Sequence, residues 1–177
     1  HPNIKLIFNI SSSSANLTHG EADIAVRLYR PRESDLVARR IQRARLVKVG
    51  MRRVQSKRQS PESARGLNLH RVIVYGDSLS SMPENQWLLD HSAPDQRVLY
   101  SDSTSARLKA TLAGVGISIQ PAIFARSNPE LITLLDNAPI PAHEVWLVYH
   151  NDLRQLGRLR AVSDFLAETL KSELEAV

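Results

Sequence analysis

Ser101-Asp102-Ser103-Thr104-Ser105-Ala106-Arg107-Leu108-Lys109-Ala110-Thr111-Leu112-Ala113-Gly114-Val115-Gly116-Ile117-Ser118-Ile119-Gln120-Pro121 carries a helix start, a helix stop and a strand within one stretch. Ser103 is a favoured N-cap, because its hydroxyl oxygen accepts an N–H that the first helical turn leaves unpaired. Leu108 and Leu112, four positions apart, share one helical face. Gly114 tolerates the left-handed backbone that closes a helix, and Ile117-Ser118-Ile119 then alternates as a strand does. With Arg97-Val98-Leu99-Tyr100 ahead of it, the unit reads as strand, helix, strand.

The same grammar extends outward. Ile4-Lys5-Leu6-Ile7-Phe8-Asn9-Ile10 predicts a strand, broken by the four serines that follow it. Ala15 to His19 predicts a short helix ended by Gly20, and Asp23 to Tyr29 a strand stopped before Pro31. Leu36 to Ile41 and Leu46 to Met51 predict two strands whose basic side chains face water. Ser60-Pro61-Glu62-Ser63 marks a helix start with Pro61 at its first position. Arg71 to Tyr75 is a short strand and Gly76 to Ser81 a loop; Leu131 to Leu135 and Val145 to Tyr149 are late strands. Leu156 to Leu174 predicts an amphipathic helix with Leu159, Val162, Phe165, Leu166 and Leu170 as its apolar stripe. The alternation predicts an α/β protein with mostly parallel pairing.

Composition narrows the chemistry. The absence of cysteine removes disulfides, thiolate nucleophiles and cysteine-ligated metals together. No apolar run approaches the roughly 20 residues a membrane helix needs. Arg39, Arg40, Arg43, Arg45, Lys48, Arg52, Arg53, Lys57 and Arg58 fall in one acid-free stretch, so with a net charge of +5 the rest of the chain is net acidic. Such a run either tracks phosphates or is a solvated surface; it contains no aromatic residue to stack on bases. The six histidines show no close metal-ligand spacing, and neither G-x-S-x-G nor a phosphate loop occurs. No catalytic residue, metal or cofactor is expected.

Several stretches, taken in order, resemble the effector-binding domain of LysR-type transcriptional regulators. His1-Pro2-Asn3-Ile4 is similar to the start of that domain's second strand, and Gly20-Glu21-Ala22-Asp23-Ile24-Ala25-Val26-Arg27 to its G-x-x-D signature. Leu36 to Ile41 resembles the strand that follows. Ala113-Gly114-Val115-Gly116-Ile117-Ser118-Ile119-Gln120-Pro121 resembles the family's glycine-rich turn and strand, and Val145 to His150 and Arg160 to Leu166 its closing strand and helix.

The resemblance implies a fold like that of type 2 periplasmic binding proteins: two Rossmann-like lobes joined by a two-strand hinge. Residues 1–45 plus 142–177 would form lobe I and residues 46–141 lobe II. The family's domain has a strand and a helix ahead of the His-Pro position, so the expected fold lacks its usual first strand and helix. It further implies a small effector, anionic in character, held between the lobes, a homodimer, a cytoplasmic setting, and DNA contact only through a helix-turn-helix domain outside these 177 residues. The competing class is a free-standing solute-binding protein of the same fold; an enzyme has no supporting motif.

Candidate effector-binding residues lie where predicted strands end. Ser103 and Thr104 open the helix, where hydroxyls and unpaired N–H groups either hold an anion or simply cap the helix, with Asp102 opposing an anion beside them. Ser11 and Ser12 either bond a ligand or make a turn. Tyr29 and Arg30 either stack on and pair with a ligand or are an exposed pair, and Tyr75 occupies a comparable place before Gly76-Asp77. Gln120 offers an amide, either to the effector or to local backbone.

Overall fold

The computed structural model describes residues 2–11, 13–52, 61, 64–135 and 140–175. In chain order these form strands β1 (Ala25–Arg27), β2 (Leu36–Ala44) and β3 (Leu46–Met51), a 3-10 turn (Ala64–Leu69), β4 (Val72–Val74), helix α1 (Pro83–Asp90) and β5 (Arg97–Tyr100). Helix α2 (Thr104–Leu112), β6 (Ser118–Pro121), α3 (Ala122–Ser127), β7 (Leu131–Leu134), β8 (His143–His150) and α4 (Gly157–Glu175) follow. The architecture is α/β. The chain divides into two compact units, His1–Ala44 with His143–Ala176, and Arg45–Ala142.

In the first unit the sheet order is β1-β8-β2, and in the second β6-β3-β7, beside a separate β4-β5 pair. β8 runs antiparallel to both of its neighbours, and so does β3. Thus the strand on which the chain enters each unit takes the centre of the sheet and runs against the two that flank it. Only β4 and β5 form a parallel ladder among the described strands, joined by a parallel bridge from Val72 to Ile117. The expectation of mostly parallel pairing is therefore corrected: pattern shows where strands lie, whereas their sense depends on how the chain returns.

The central position of β3 explains its composition. All six of its residues are buried. Leu46 joins Val72, Val74, Ile117, Ile119 and Leu134 in one core, while Val47 and Val49 join Ala122 and Leu131 in another. A strand covered on both faces is apolar throughout. Lys48 is the exception, and it does not face water as expected. Its side chain is buried, with Nζ donating to the Leu135 carbonyl at 2.8 Å and lying 4.8 Å from the centroid of the Trp87 ring. Leu135, whose carbonyl Lys48 holds, has a φ of 53°, in the left-handed region that branched side chains avoid.

Three further elements depart from the sequence reading. Residues 4–10 form no strand, because no described backbone comes alongside to pair with them, and Ile7 and Phe8 are exposed. The predicted 15–19 helix is only a hydrogen-bonded turn: Gly20 N donates to Leu17 O and Glu21 N to Asn16 O, with Gly20 at φ 72°. These are the bonds of a helix C-cap with too few preceding residues to make the helix. In α4 the buried residues are Leu159, Ser163 and Ala167, while Phe165 is exposed, because the helix meets β2 along its i, i+4 row. Of the helix start read at Ser60-Pro61-Glu62-Ser63, all but Pro61 lies outside the described residues.

Candidate functional site

In the second unit, the ends of β4 and β5 and the start of α2 meet around one cation. Ser103 caps α2, its Oγ accepting from Ala106 N at 3.3 Å. Thr104 N and Ser105 N meet no acceptor among the described residues, so the positive end of the helix dipole opens here. Leu108 and Leu112 share the face that packs, half-buried, against the Val47, Val49, Ala122 and Leu131 core, while the fully buried residues of α2 are polar, Arg107 and Thr111. Arg107 is 2% exposed. Its Nη1 donates to Ser101 O at 2.6 Å, its Nη2 to Thr104 Oγ1 at 3.3 Å, and its Cζ lies 3.8 Å from the centroid of the Tyr75 ring.

Tyr75 is itself buried, and its backbone N–H donates to Asn85 Oδ1 at 2.9 Å. Burial, and then the negative charge of Glu84, push the Tyr75 hydroxyl far above its usual range. It therefore stays a neutral phenol.

Asp102 proves less hostile to an anion than its position in the sequence suggests. Its carboxylate accepts from Ser78 N at 3.3 Å and Leu79 N at 3.2 Å, capping the turn that follows β4. Gly76 makes room for it: a Cβ there would stand 3.0 Å from Asp102 Oδ2.

Gln120 is fully buried, donating through Nε2 to Ser118 Oγ at 3.0 Å. Ser118 Oγ shares a 2.7 Å hydrogen bond with Thr111 Oγ1, which donates onward to Arg107 O at 2.9 Å. Gln120 Oε1 has no partner among the described residues. A polar thread thus runs from the middle of β6 to the helix that carries Arg107.

In the first unit, an open pocket of about 360 Å3 includes Ser14, Asn16, Thr18, Arg27, Tyr29 and Glu33 in its lining. Tyr29 OH and Ser14 Oγ are 2.7 Å apart. Arg27, the last residue of the quoted G-x-x-D signature, is buried; Nη1 donates to Glu33 Oε1 at 2.9 Å and Nη2 to Ala15 O at 3.2 Å. A bond from its own backbone, and then that from Arg27, hold the Glu33 carboxyl below the usual range. Thr18 donates to Asp35 Oδ2 at 2.6 Å, and this bond is the main cause of that carboxyl's lowered pKa. The pocket therefore offers hydroxyls around an internally neutralised Arg-Glu pair.

The expected site residues thus separate into these two constellations. Tyr29 lies in the first; Tyr75, Ser103 and Thr104 lie together in the second, with Gln120 at the far end of the polar thread. Arg30 belongs to neither set, since its guanidinium lies 5.7 Å from the centroid of the Trp146 ring. Among the described residues Ser11 bonds to Ser13 alone, its Oγ accepting from Ser13 N at 3.1 Å and lying 2.7 Å from Ser13 Oγ, as in a turn. Ser12 lies outside the described residues. Arg27 and Arg107 were missed as site residues, because an arginine on a predicted strand or helix reads as solvated surface. Their signal lay in spacing: Arg107 stands four positions after the cap, on the same face as Thr111.

A family model described as the LysR substrate binding domain matches residues 1–171. Among solved structures, the regulatory domain of CrgA from Neisseria meningitidis is 24% identical, with a TM-score of 0.73 over 89% of this chain and 81% of that one. Full-length AphB of Vibrio cholerae is 19% identical, with a TM-score of 0.69 over 90% of this chain; the match spans only 56% of AphB. The effector binding domain of QuiR in complex with shikimate is 19% identical, with a TM-score of 0.63 over 86% of this chain and 74% of that one. At these identities the structures speak for the fold. No curated protein sequence matches the chain.

Proposed function

The chain belongs to the LysR substrate binding domain family, and from that membership we propose that it is the ligand-sensing domain of a LysR-type transcription regulator. The family is one of regulatory effector-binding domains with the type 2 periplasmic-binding-protein fold, and not one of enzymes. In this reading a small anionic effector is recognised by Ser103, Thr104 and the open N–H groups of Thr104 and Ser105, all in the second unit. DNA contact then belongs to a helix-turn-helix domain of the parent protein, the sensing domains pair as a homodimer, and the regulator works in the cytoplasm. Among the described residues no helix is long and apolar enough to cross a membrane.

The observation that carries this reading is the α2 N-terminus: unpaired N–H groups, two hydroxyls and an Asp102 carboxylate already engaged by Ser78 and Leu79. Helix N-termini with this inventory favour anions. An effector such as the shikimate held by QuiR combines one carboxylate with several hydroxyls, the combination these residues suit. A thermal-shift screen of shikimate, aromatic acids, amino acids and sugar acids tests it. A ligand at one hundred times its Kd stabilises the fold by about 2.7 kcal/mol, and Thr104→Ala should abolish that gain. If no acid in the panel raises the melting temperature of the folded chain, the effector is not a small carboxylate and this reading falls.

A further inference from the structure

Arg107 is expensive to keep where it is. Among the described residues it makes no ion pair, it is buried, and its Nε has no hydrogen-bond partner. It also stands at the N-terminal end of α2, where the helix dipole disfavours a cation. Asp102 and Glu84 act on its charge through the field rather than by contact, and a buried cation without a contacting carboxylate costs several kcal/mol, so that an apolar residue of similar volume is commonly the more stable choice. What the position gains is connectivity. The two Nη groups and the π face tie three elements together: the end of β5 at Ser101 and the start of α2 at Thr104, both close by in sequence, and the end of β4 at Tyr75, which is remote. A planar fork with donors on separate arms does this, whereas an ammonium, a single point charge, does not.

We propose that Arg107 is the positioning residue of this constellation: without touching the effector, it fixes the mutual placement of Tyr75, Ser101 and Thr104 and so sets how well the α2 N-terminus takes an anion. The proposal rests on the effector-binding reading above. Arg107 is too deeply buried to meet a ligand, so its influence passes through the groups it holds. Thr104 is the direct link, as its Oγ1 accepts from Arg107 and its N–H opens the helix. Positioning differs from a simple field effect in one respect: it depends on the shape of the guanidinium and not only on its charge.

Two measurements on the ligand-free chain and on Arg107→Lys and Arg107→Met test this. Hydrogen exchange should accelerate tenfold or more at residues 75–79 and 101–106 in both variants, while β2, β7 and β8 keep their protection. Unchanged exchange in those two segments, or an even rise across the whole second unit, overturns the proposal. The second measurement titrates sulfate, at constant ionic strength, against the amide resonances of Thr104 and Ser105. Positioning predicts that Arg107→Lys loses as much sulfate affinity as Arg107→Met, about tenfold; a wild-type affinity in Arg107→Lys shows charge alone at work and overturns it. Failure of wild-type protein to bind sulfate counts against the anion-binding reading itself, and the exchange data then decide the role of Arg107 independently.

Discussion

The Arg107 guanidinium stacks on Tyr75, its Cζ 3.8 Å from the ring centroid, so that a buried cation is compensated by a π face. A desolvated contact of this kind is worth about 2 kcal/mol. Tyr75→Leu removes the face and leaves a cavity, and should cost about 3 kcal/mol in urea denaturation. Tyr75→Phe keeps the ring and should cost about 1 kcal/mol or less. Equal losses from the two variants would show that the hydroxyl matters more than the stacking.

The same residue makes a pH prediction. Burial and Glu84 raise the Tyr75 hydroxyl pKa in the folded chain, whereas the unfolded chain ionises it near pH 10. Above that pH the folded state holds a proton that the unfolded state has released, so stability falls as pH rises. Below it the contribution is complete. Denaturation midpoints from pH 8 to 11.5 should show the wild-type protein losing stability faster than Tyr75→Phe above pH 10. Parallel curves would mean that Tyr75 titrates normally.

Close backbone approaches rank two glycine substitutions. A Cβ at Gly116 would stand 2.7 Å from the Arg71 carbonyl oxygen, where β4 and the strand after α2 are bridged. Backbone on both sides cannot give way cheaply, so Gly116→Ala should cost about 3 kcal/mol. At Gly76 the neighbour is the Asp102 side chain, which can move at the expense of its bonds to Ser78 and Leu79. Gly76→Ala should therefore cost about 1 kcal/mol and loosen the 77–79 turn. The reverse order in thermal denaturation would refute the bridge as the tighter contact.

Gln120 separates folding from binding. Its Oε1 is buried without a partner among the described residues, so Gln120→Leu removes an unsatisfied acceptor and should leave stability within about 1 kcal/mol or raise it. If Gln120 serves the effector, the same variant lowers affinity for any carboxylate that the thermal-shift screen identifies. A loss of several kcal/mol in folding would show that the amide is structural.

On α4, Leu159→Ala should cost about 3 kcal/mol and Phe165→Ala within about 0.5 kcal/mol, since the first is buried and the second exposed. Chemical denaturation of the two variants checks the helix face directly. A large loss at Phe165 would mean that this face is covered in solution.

Local signals were readable where a residue acts through its own neighbours. Ser103 caps α2 and Gly114 closes it at φ 78°, as hydroxyl and glycine chemistry dictate. β3 lies within the predicted 46–51 run, because a strand buried on both faces must be apolar. Helix α1 was not seen in advance: Pro83-Glu84-Asn85-Gln86-Trp87-Leu88-Leu89-Asp90 has little amphipathic contrast, and it buries Glu84 and Asn85 beside Leu88. Polar residues turned inward defeat any reading based on an apolar face.

By itself the sequence determined which segments turn, cap and alternate, and through the ordered motifs from His1 to Leu166 it determined the family, because those properties depend on residues a few positions apart. Tertiary structure alone decided that β3 and β8 run against their neighbours, that Lys48 and Arg107 are buried, and that Tyr75, Ser101 and Thr104 share one cation. Whether a cation costs or stabilises depends on the carbonyl, hydroxyl or ring that the fold brings within a few ångströms of it, and for Lys48 on Leu135 and Trp87, as for Arg107 on Tyr75, that partner lies far along the chain.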